Sequence, residues 1–268
     1  MKNVLITGSE GFIGSNLKTF LEKRGINTVC YDKKIHSSLP NTSGIEAIIH
    51  LGANSSTAEK NVTKIVNENF NSSILFFELA KNLGIKFQYA SSASVYGDSK
   101  TFQEDEFCCP KNPYALSKYM FDCWVSTQNY PYQGFRYFNV FGSGEEKKGD
   151  QASPFTKFKQ QASSSGKIKI FKGSDIFYRD FVSVEDVCEI HYLLLENNYS
   201  GVLNIGTGKP TSFLKIAKKI SEKYKSSIEI IPMPKELKSG YQKYTCANSE
   251  KIQSILPNFQ FKNILSEI

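Results

Sequence analysis

Apolar residues recur along this chain in two alternating rhythms. Val4-Leu5-Ile6 is a short apolar run of the kind that forms a buried strand, and after it Leu17, Phe20 and Leu21 fall at helical spacing until Gly25. Thr28-Val29-Cys30-Tyr31-Asp32 predicts a second strand, and Ala47-Ile48-Ile49-His50-Leu51-Gly52-Ala53 a third. Helical spacing returns from Asn69 to Leu83 through Ile74, Leu75, Phe76, Leu79 and Ala80, with Gly84 as the stop and Phe87-Gln88-Tyr89-Ala90 as the following strand. Pro113 opens a helix that carries Tyr119, Phe121, Trp124 and Val125 toward a core. Gly134 to Gly142 reads as one further buried strand, and the stretch 144–150 as a polar crossing punctuated by glycine. A helix over Phe155 to Ala162 and a strand Lys169-Ile170-Phe171 come next, and Tyr178 to Val182 re-enters the main domain. A helix Val184 to Leu195, a strand Gly201 to Gly206, an amphipathic helix Leu214 to Tyr224 and a strand Ile228 to Ile231 complete the pattern.

Alternating strands and helices predict an α/β fold. One interval breaks the alternation: Lys33 to Gly44 is too short and too polar for another helix and strand, so the strand at 47–53 should pair directly beside the first. The expectation is a doubly wound parallel sheet that lacks one edge βα unit after Asp32, which thins one wall of an adenine pocket. Residues 1–145 with 178–210 are expected to form the larger domain, and residues 146–177 with 211–268 a small lobe.

Composition narrows the partners. The formal charge of +7 comes from 33 basic and 26 acidic residues scattered along 268 positions, which suits an anionic small molecule and argues against nucleic acid. Six cysteines include no CxxC pair and no histidine at zinc-ligand spacing, so they read as reduced thiols of a cytoplasmic protein without a metal site. The opening apolar stretch is too brief for a signal peptide, and no run reaches the ~18 apolar residues expected of a membrane span.

Candidate chemistry clusters at three places. Gly8, Gly11 and Gly14 lie between the first strand and the first helix: Gly8 permits the tight turn, Gly11 lets backbone approach a pyrophosphate, and Gly14 allows close helix–strand packing. Asp32, 24 residues beyond Gly8, stands where a ribose-binding carboxylate is expected of a Rossmann-type dinucleotide fold. Ser92 falls at the carboxyl end of a strand, either as part of a site or as one residue of a serine-rich turn. Tyr114 and Lys118 share one face of a helix, so the ammonium is expected to pull the phenol's pKa down and fit Tyr114 to exchange a substrate hydroxyl proton.

Taken in order, Thr7-Gly8 to Gly14, Ser92 with Tyr96-Gly97, Tyr114 with Lys118, Arg136 to Val140 and Arg179 to Val182 resemble the extended short-chain dehydrogenase/reductase superfamily, the NAD-dependent epimerases and dehydratases. The likeness covers nearly the whole chain. Within it, His50 to Thr57, Gly134 to Gly142, Lys148-Gly149, Phe171 to Ser174 and Pro234 to Gln242 most resemble the ADP-glyceromanno-heptose 6-epimerases.

This resemblance implies a nucleotide-sugar epimerase acting on ADP-heptose by transient oxidation at C6, with non-stereospecific hydride return. The implied cofactor is NADP, with NAD as the alternative: Asp32 suits a free 2′-hydroxyl, Lys33 and Lys34 a 2′-phosphate. It makes Tyr114 one acid/base and Lys148 the second, has Lys118 hold the nicotinamide ribose, and has Ser92 bond the reacting oxygen. It adds Phe12, Ile13, Leu51, Gly52, Ala53, Asn69 and Val140 to the cofactor site. Asn139, Phe171, Lys172, Gly173, Ser174, Arg179 and Tyr241 would line the sugar nucleotide, and Arg179 offers a guanidinium fork to a diphosphate. Asp150 and Lys157 stand where the heptose pattern has a serine and a histidine beside the sugar, and the chain ends soon after Phe261 without the last helix of that pattern.

Two other functions remain open: a nucleotide-sugar epimerase acting at C4, and a cofactor-binding protein without turnover. A 4,6-dehydratase fits less well, since Ala93-Ser94 replaces the Asp-Glu pair of that branch. Helices bearing Phe76, Phe77 and Trp124 suit either a homo-oligomer interface or the core.

Overall fold

The computed structural model describes residues 1–32, 39–57, 59–234 and 242–268. The chain runs β1 (Asn3–Thr7), α1 (Phe12–Glu22), β2 (Asn27–Tyr31), β3 (Ala47–His50), α2 (Val62–Ile65), a π-helical turn Val66–Asn71, α3 (Ser72–Leu83), β4 (Lys86–Ser92) and α4 (Pro113–Ser126). It continues through β5 (Gln133–Tyr137), β6 (Asn139–Phe141), a 3₁₀ turn Glu145–Gln151, α5 (Pro154–Ser165), β7 (Lys167–Phe171), β8 (Tyr178–Arg179) and β9 (Phe181–Ser183). The last part comprises α6 (Val184–Leu195), β10 (Gly201–Ile205), β11 (Thr211–Ser212), α7 (Phe213–Tyr224), β12 (Ser227–Ile231) and a short helix Glu250–Ile255.

Six strands form one parallel sheet in the order β10-β5-β4-β3-β1-β2. As the short polar interval required, β3 pairs with β1, Val4 lying opposite Ala47, and β2 is the edge. Residues 39–46 carry no strand.

Both faces of this sheet are covered, and the alternation of side chains along each strand distributes them. Val4 and Ile6 of β1 and Ala47 and Ile49 of β3 pack with Leu17 and Leu21 of α1 and Val187, Ile190 and Leu194 of α6. Leu5 and Ile48 point the other way, into Phe76 and Phe77 of α3 and Phe121 and Val125 of α4. Phe76 and Phe77 are therefore buried within the chain, and Trp124 packs edge-on against Phe77.

A second apolar cluster joins Phe155 and Phe158 of α5, Ile168 and Ile170 of β7 and Phe213, Ile216 and Ile220 of α7, with β7 and β12 paired in parallel beneath them. Ile252 of the short C-terminal helix packs instead on the first cluster.

The stretch Gly134–Gly142 is not one strand. It breaks at Phe138, whose N–H bonds the Ile205 carbonyl at 3.0 Å, and β6 leaves the sheet to pair with β9. Tyr178 to Val182 divides in the same way around Asp180, with β8 pairing antiparallel to β11. The carboxylate of Asp180 is fully buried, and it accepts bonds from Thr207 N–H (2.9 Å), the Thr207 hydroxyl (2.6 Å), Gly208 N–H (2.8 Å) and Ala247 N–H (3.0 Å). Those four donors offset the cost of burying a charge there. All six cysteines are free thiols. No helix among the described residues is long and apolar enough to cross a membrane.

A buried polar chain ties α6 to the sheet. His191 Nδ1–H donates to Gln88 Oε1 at 2.7 Å, its Nε2 accepts from the Tyr137 hydroxyl at 2.5 Å, and the Gln88 amide donates to Gln133 at 2.8 Å. Burial lowers the His191 pKa to about 3, against ~6.5 in an unfolded chain. Between those values the unfolded chain takes up a proton at this residue that the native chain refuses, so stability falls with falling pH. A His191→Gln variant lacks that uptake. Its stability deficit should narrow by about 1.4 kcal/mol in total as pH drops from about 7.5 to about 5.5. Denaturant melts across this range check it; a constant deficit would contradict a neutral buried His191.

Candidate functional site

The first part of the site is a close approach of backbones at the carboxyl end of β1. Gly8 has φ +71°, a conformation that L side chains rarely adopt, and a Cβ there would lie 2.6 Å from Gly52 N. At Gly14 a Cβ would come within 2.0 Å of the Gly8 carbonyl oxygen. Gly11 caps α1 without any side-chain hydrogen bond, so the helix's first N–H groups are not taken by a cap and form a place for an anion.

The segment Leu51-Gly52-Ala53 is tied across this turn. Leu51 N–H bonds the Thr7 carbonyl at 3.1 Å, and Gly52 N–H bonds the Thr7 hydroxyl, also at 3.1 Å. That hydroxyl lies 2.7 Å from His50 Nδ1. Asp32 is exposed at the end of β2, where its carboxylate accepts from Glu10 N–H at 3.2 Å and from the Ser9 hydroxyl. Lys33 lies outside the described residues. Asn69, buried in the π-helical turn, bonds both the N–H and the carbonyl of Asn54 at 2.7 and 3.1 Å and reaches the Ser117 hydroxyl at 2.9 Å. It thereby links the loop after β3 to α4.

The second part lies at the carboxyl end of β4. Ser92 Oγ accepts from Ser94 N–H at 3.2 Å and from the Ser94 hydroxyl at 2.8 Å. Both its lone pairs are then used, which leaves its proton available to donate beside Tyr114. Asn112 caps α4 through a 2.8 Å bond from Ala115 N–H, and Pro113 occupies the first turn, so Tyr114 enters the site at the helix start.

Lys118 does not have the expected effect on Tyr114. Lys118 is buried and its ammonium donates to the Ala90 carbonyl at 2.8 Å. Burial raises the Tyr114 pKa rather than lowering it, and the opposing influence is the Ser92 hydrogen bond. Lys118 itself is pushed down to about 8 by burial, with Asp122 opposing.

Asp122 was not singled out in the sequence. Its carboxylate accepts from the Tyr89 hydroxyl (2.8 Å), the Ser91 hydroxyl (2.9 Å) and Arg136 Nε (3.0 Å), a buried ion pair that fixes α4 on β4 and β5. The available signal was an acid one turn beyond Lys118 on an otherwise apolar helix face.

The third part is the 3₁₀ turn Glu145–Gln151. Lys148 is half-buried, with Nζ 5.7 Å from the centre of the Phe12 ring, so it is carried to the start of α1 beside the glycine turn. Burial lowers its pKa and Glu145 opposes. Val140 is buried in the same apolar cluster as Phe12, and Ile13 packs against that cluster. Asn139 is half-buried, its N–H bonded to the Asp180 carbonyl at 3.0 Å.

The remaining candidates sit on or near the second cluster. Asp150 is exposed, and its carbonyl accepts from Lys157 Nζ at 2.6 Å. Phe171 ends β7, Lys172 N–H bonds the Ile231 carbonyl at 2.8 Å, Gly173 follows, and the buried Ser174 donates its hydroxyl to the Phe171 carbonyl at 2.7 Å. Arg179 is buried, bonded to the Tyr178 carbonyl at 2.9 Å and to the Gln242 carbonyl, with its guanidinium 5.5 Å from the Phe213 ring centre. Tyr241 lies outside the described residues. Among the described residues no group of three or more histidine, cysteine or acidic side chains is arranged to hold a metal ion.

These residues fit a dinucleotide. The glycine turn leaves no room for a Cβ at Gly8 or Gly14, the uncapped start of α1 suits a pyrophosphate, and Asp32 closes β2 at ribose distance in the chain.

The profile of the NAD dependent epimerase/dehydratase family matches residues 4–206. An ADP-L-glycero-D-manno-heptose-6-epimerase of Brachyspira hyodysenteriae (strain ATCC 49526 / WA1) is 35% identical over 298 aligned positions, covering 97% of this chain and 94% of its own. The crystal structure of Helicobacter pylori ADP-L-glycero-D-manno-heptose-6-epimerase superposes with a TM-score of 0.87 at 26% identity, covering 99% of this chain and 93% of that one. The fold is shared as well with UDP-glucose 4-epimerase of Thermotoga maritima, with a TM-score of 0.84 at 23% identity over 98% of this chain and 95% of that one. On the match over most of its length, this chain belongs to the NAD-dependent epimerase/dehydratase family.

Proposed function

We propose that this chain is a nucleotide-sugar epimerase that acts on ADP-glyceromanno-heptose at C6 with NADP as its bound cofactor. The observation that carries the reading is a pair of proton-transfer groups at the cofactor end of the sheet: Tyr114 at the start of α4 beside the end of β4, and Lys148 held against Phe12 at the start of α1. The two heptose epimerases that this chain resembles support the choice of sugar.

The glycine turn and the start of α1 would hold the pyrophosphate, Asp32 the adenosine ribose and Lys118 the nicotinamide ribose. Phe12, Ile13, Leu51, Gly52, Ala53, Asn69 and Val140 would line the same groove. A nicotinamide held there would supply the redox chemistry, as acceptor and then donor of the hydride on the sugar carbon. The protein's share is proton transfer and position. Tyr114 exchanges the C6 hydroxyl proton of one epimer, with Ser92 bonding the reacting oxygen, and Lys148 exchanges that of the other. The two groups differ in readiness: burial keeps Tyr114 as the phenol, a donor, while the lowered pKa of Lys148 raises the fraction of free amine able to accept.

The sugar nucleotide would extend over the smaller lobe, 146–177 with 211–268, which carries Phe171 to Ser174 and whose Phe213 faces Arg179 of the larger unit, while the stretch around Ile252 packs with the larger unit. A cytoplasmic setting accords with six free thiols.

Incubation with NADP or NAD and a panel of ADP-, UDP- and GDP-sugars, followed by NMR, tests the reading. ADP-heptose with NADP should give the C6 epimer fastest. A C4 epimer of another sugar would replace the proposed substrate, preference for NAD would replace the cofactor, and no product from any pair would overturn the activity. Tyr114→Phe and Lys148→Ala should each lower epimerisation by at least about a hundredfold, the size expected of a lost general acid or base. Native rates in both purified variants would contradict their roles.

A further inference from the structure

The loop that carries Lys148 is fixed at three points. Asn16 of α1 donates to the Ser143 carbonyl at 2.9 Å and to the Phe12 carbonyl at 2.8 Å. The Ser55 hydroxyl donates to Gln151 Oε1 at 3.3 Å, which ties the far end of the turn to the loop after β3. The third point is Glu145, one turn before Lys148 and only 1% exposed. Its carboxylate accepts from Ser153 N–H at 2.7 Å, the Ser153 hydroxyl at 2.8 Å and the Thr156 hydroxyl at 2.5 Å.

Ser153 is the N-cap of α5, so Glu145 places a negative charge at the start of a 12-residue helix, where exposed N–H groups and the helix dipole favour it. Glu146 and Lys147, between the buried acid and Lys148, are exposed. A buried carboxylate with three bonds is held far more firmly than its exposed neighbours. It is also the charged group that supports the ammonium of Lys148 against burial.

We propose that Glu145 is a positioning residue for the epimerase reaction: by anchoring its turn on the N-terminus of α5, it sets where the amine of Lys148 stands against Phe12. The proposal rests on the reading of Lys148 as the second acid/base. It gives the second cluster a part in the chemistry, since α5 fixes the turn that reaches back to α1. Proton transfer is sensitive to such placement, with a displacement of about 1 Å able to cost about a hundredfold.

The test separates the two faces of the sugar carbon. Holoenzyme loaded with cofactor is mixed rapidly with one pure C6 epimer of ADP-heptose at a time, and the first appearance of reduced nicotinamide absorbance is followed. Lys148→Ala should slow this step with one epimer only, because Tyr114 serves the other. Glu145→Ala should slow it at least about tenfold with that same epimer and leave the other within about twofold. Glu145→Gln, which keeps an acceptor for Ser153 and Thr156, should recover part of the loss.

A Glu145→Ala protein that behaves as the native enzyme with both epimers, or that slows both alike, overturns the proposal while leaving Lys148 in place. Lys148→Ala without epimer selectivity overturns the underlying role and this proposal with it. If Glu145→Ala does not fold, Thr156→Val removes one of the three bonds and should show the same selectivity at smaller size. An unselective or absent response there counts against the proposal in the same way.

Discussion

Three stretches of backbone meet at Gly8, and the space between them is too small for a side chain. The turn after β1, the start of α1 and the segment after β3 converge there, with a Gly14 Cβ excluded by the Gly8 carbonyl and a Gly8 Cβ excluded by Gly52. Because β1 and β3 are direct neighbours in the sheet, the contact between Gly8 and Gly52 also fixes the end of β3 against the end of β1. Thr7 completes the junction through its bonds to Leu51 and Gly52. The surface this leaves is bare backbone ending in helix N–H groups, which suits a pyrophosphate and little else of that size. The placement of Phe12, and through it of Lys148, follows from the same junction.

A second constraint is electrostatic. Asp122 holds α4 to the sheet through Arg136, Tyr89 and Ser91, and this buried group of partners keeps Tyr114 and Lys118 at the end of β4. Asp180 does similar work on the other side, gathering Thr207, Gly208 and Ala247 around the point where β8 gives way to β9. Both carboxylates are satisfied by several donors, so removing one partner leaves the rest with an unbalanced buried charge. Two buried acids thus hold the elements that carry the candidate site residues.

The pattern of apolar residues was enough to find the strands and helices of the main sheet, the direct pairing of β3 with β1, and the glycine turn, because each rests on local periodicity or on one glycine-dependent contact. It was not enough for Gly134–Gly142. That run is apolar throughout, and only the exchange of partners from β10 to β9 breaks it at Phe138. The helix face shared by Tyr114 and Lys118 was legible, but the electrostatics of the pair were not. Spacing along a helix cannot reveal that the ammonium turns to the Ala90 carbonyl, or that burial outweighs its charge at the phenol. Glu145 was unreadable for a related reason: in a run of Glu-Glu-Lys-Lys it looks like its solvated neighbours, and its burial depends on Ser153 and Thr156 arriving from α5.

In the proposed reaction a hydride leaves the sugar carbon and returns to that same carbon, while Tyr114 and Lys148 handle the protons. It is tested most directly with ADP-heptose carrying deuterium at C6, converted by the enzyme in ordinary water and analysed by NMR and mass spectrometry. The epimerised product should keep the deuterium at C6. Replacement of the label by hydrogen from solvent would contradict it.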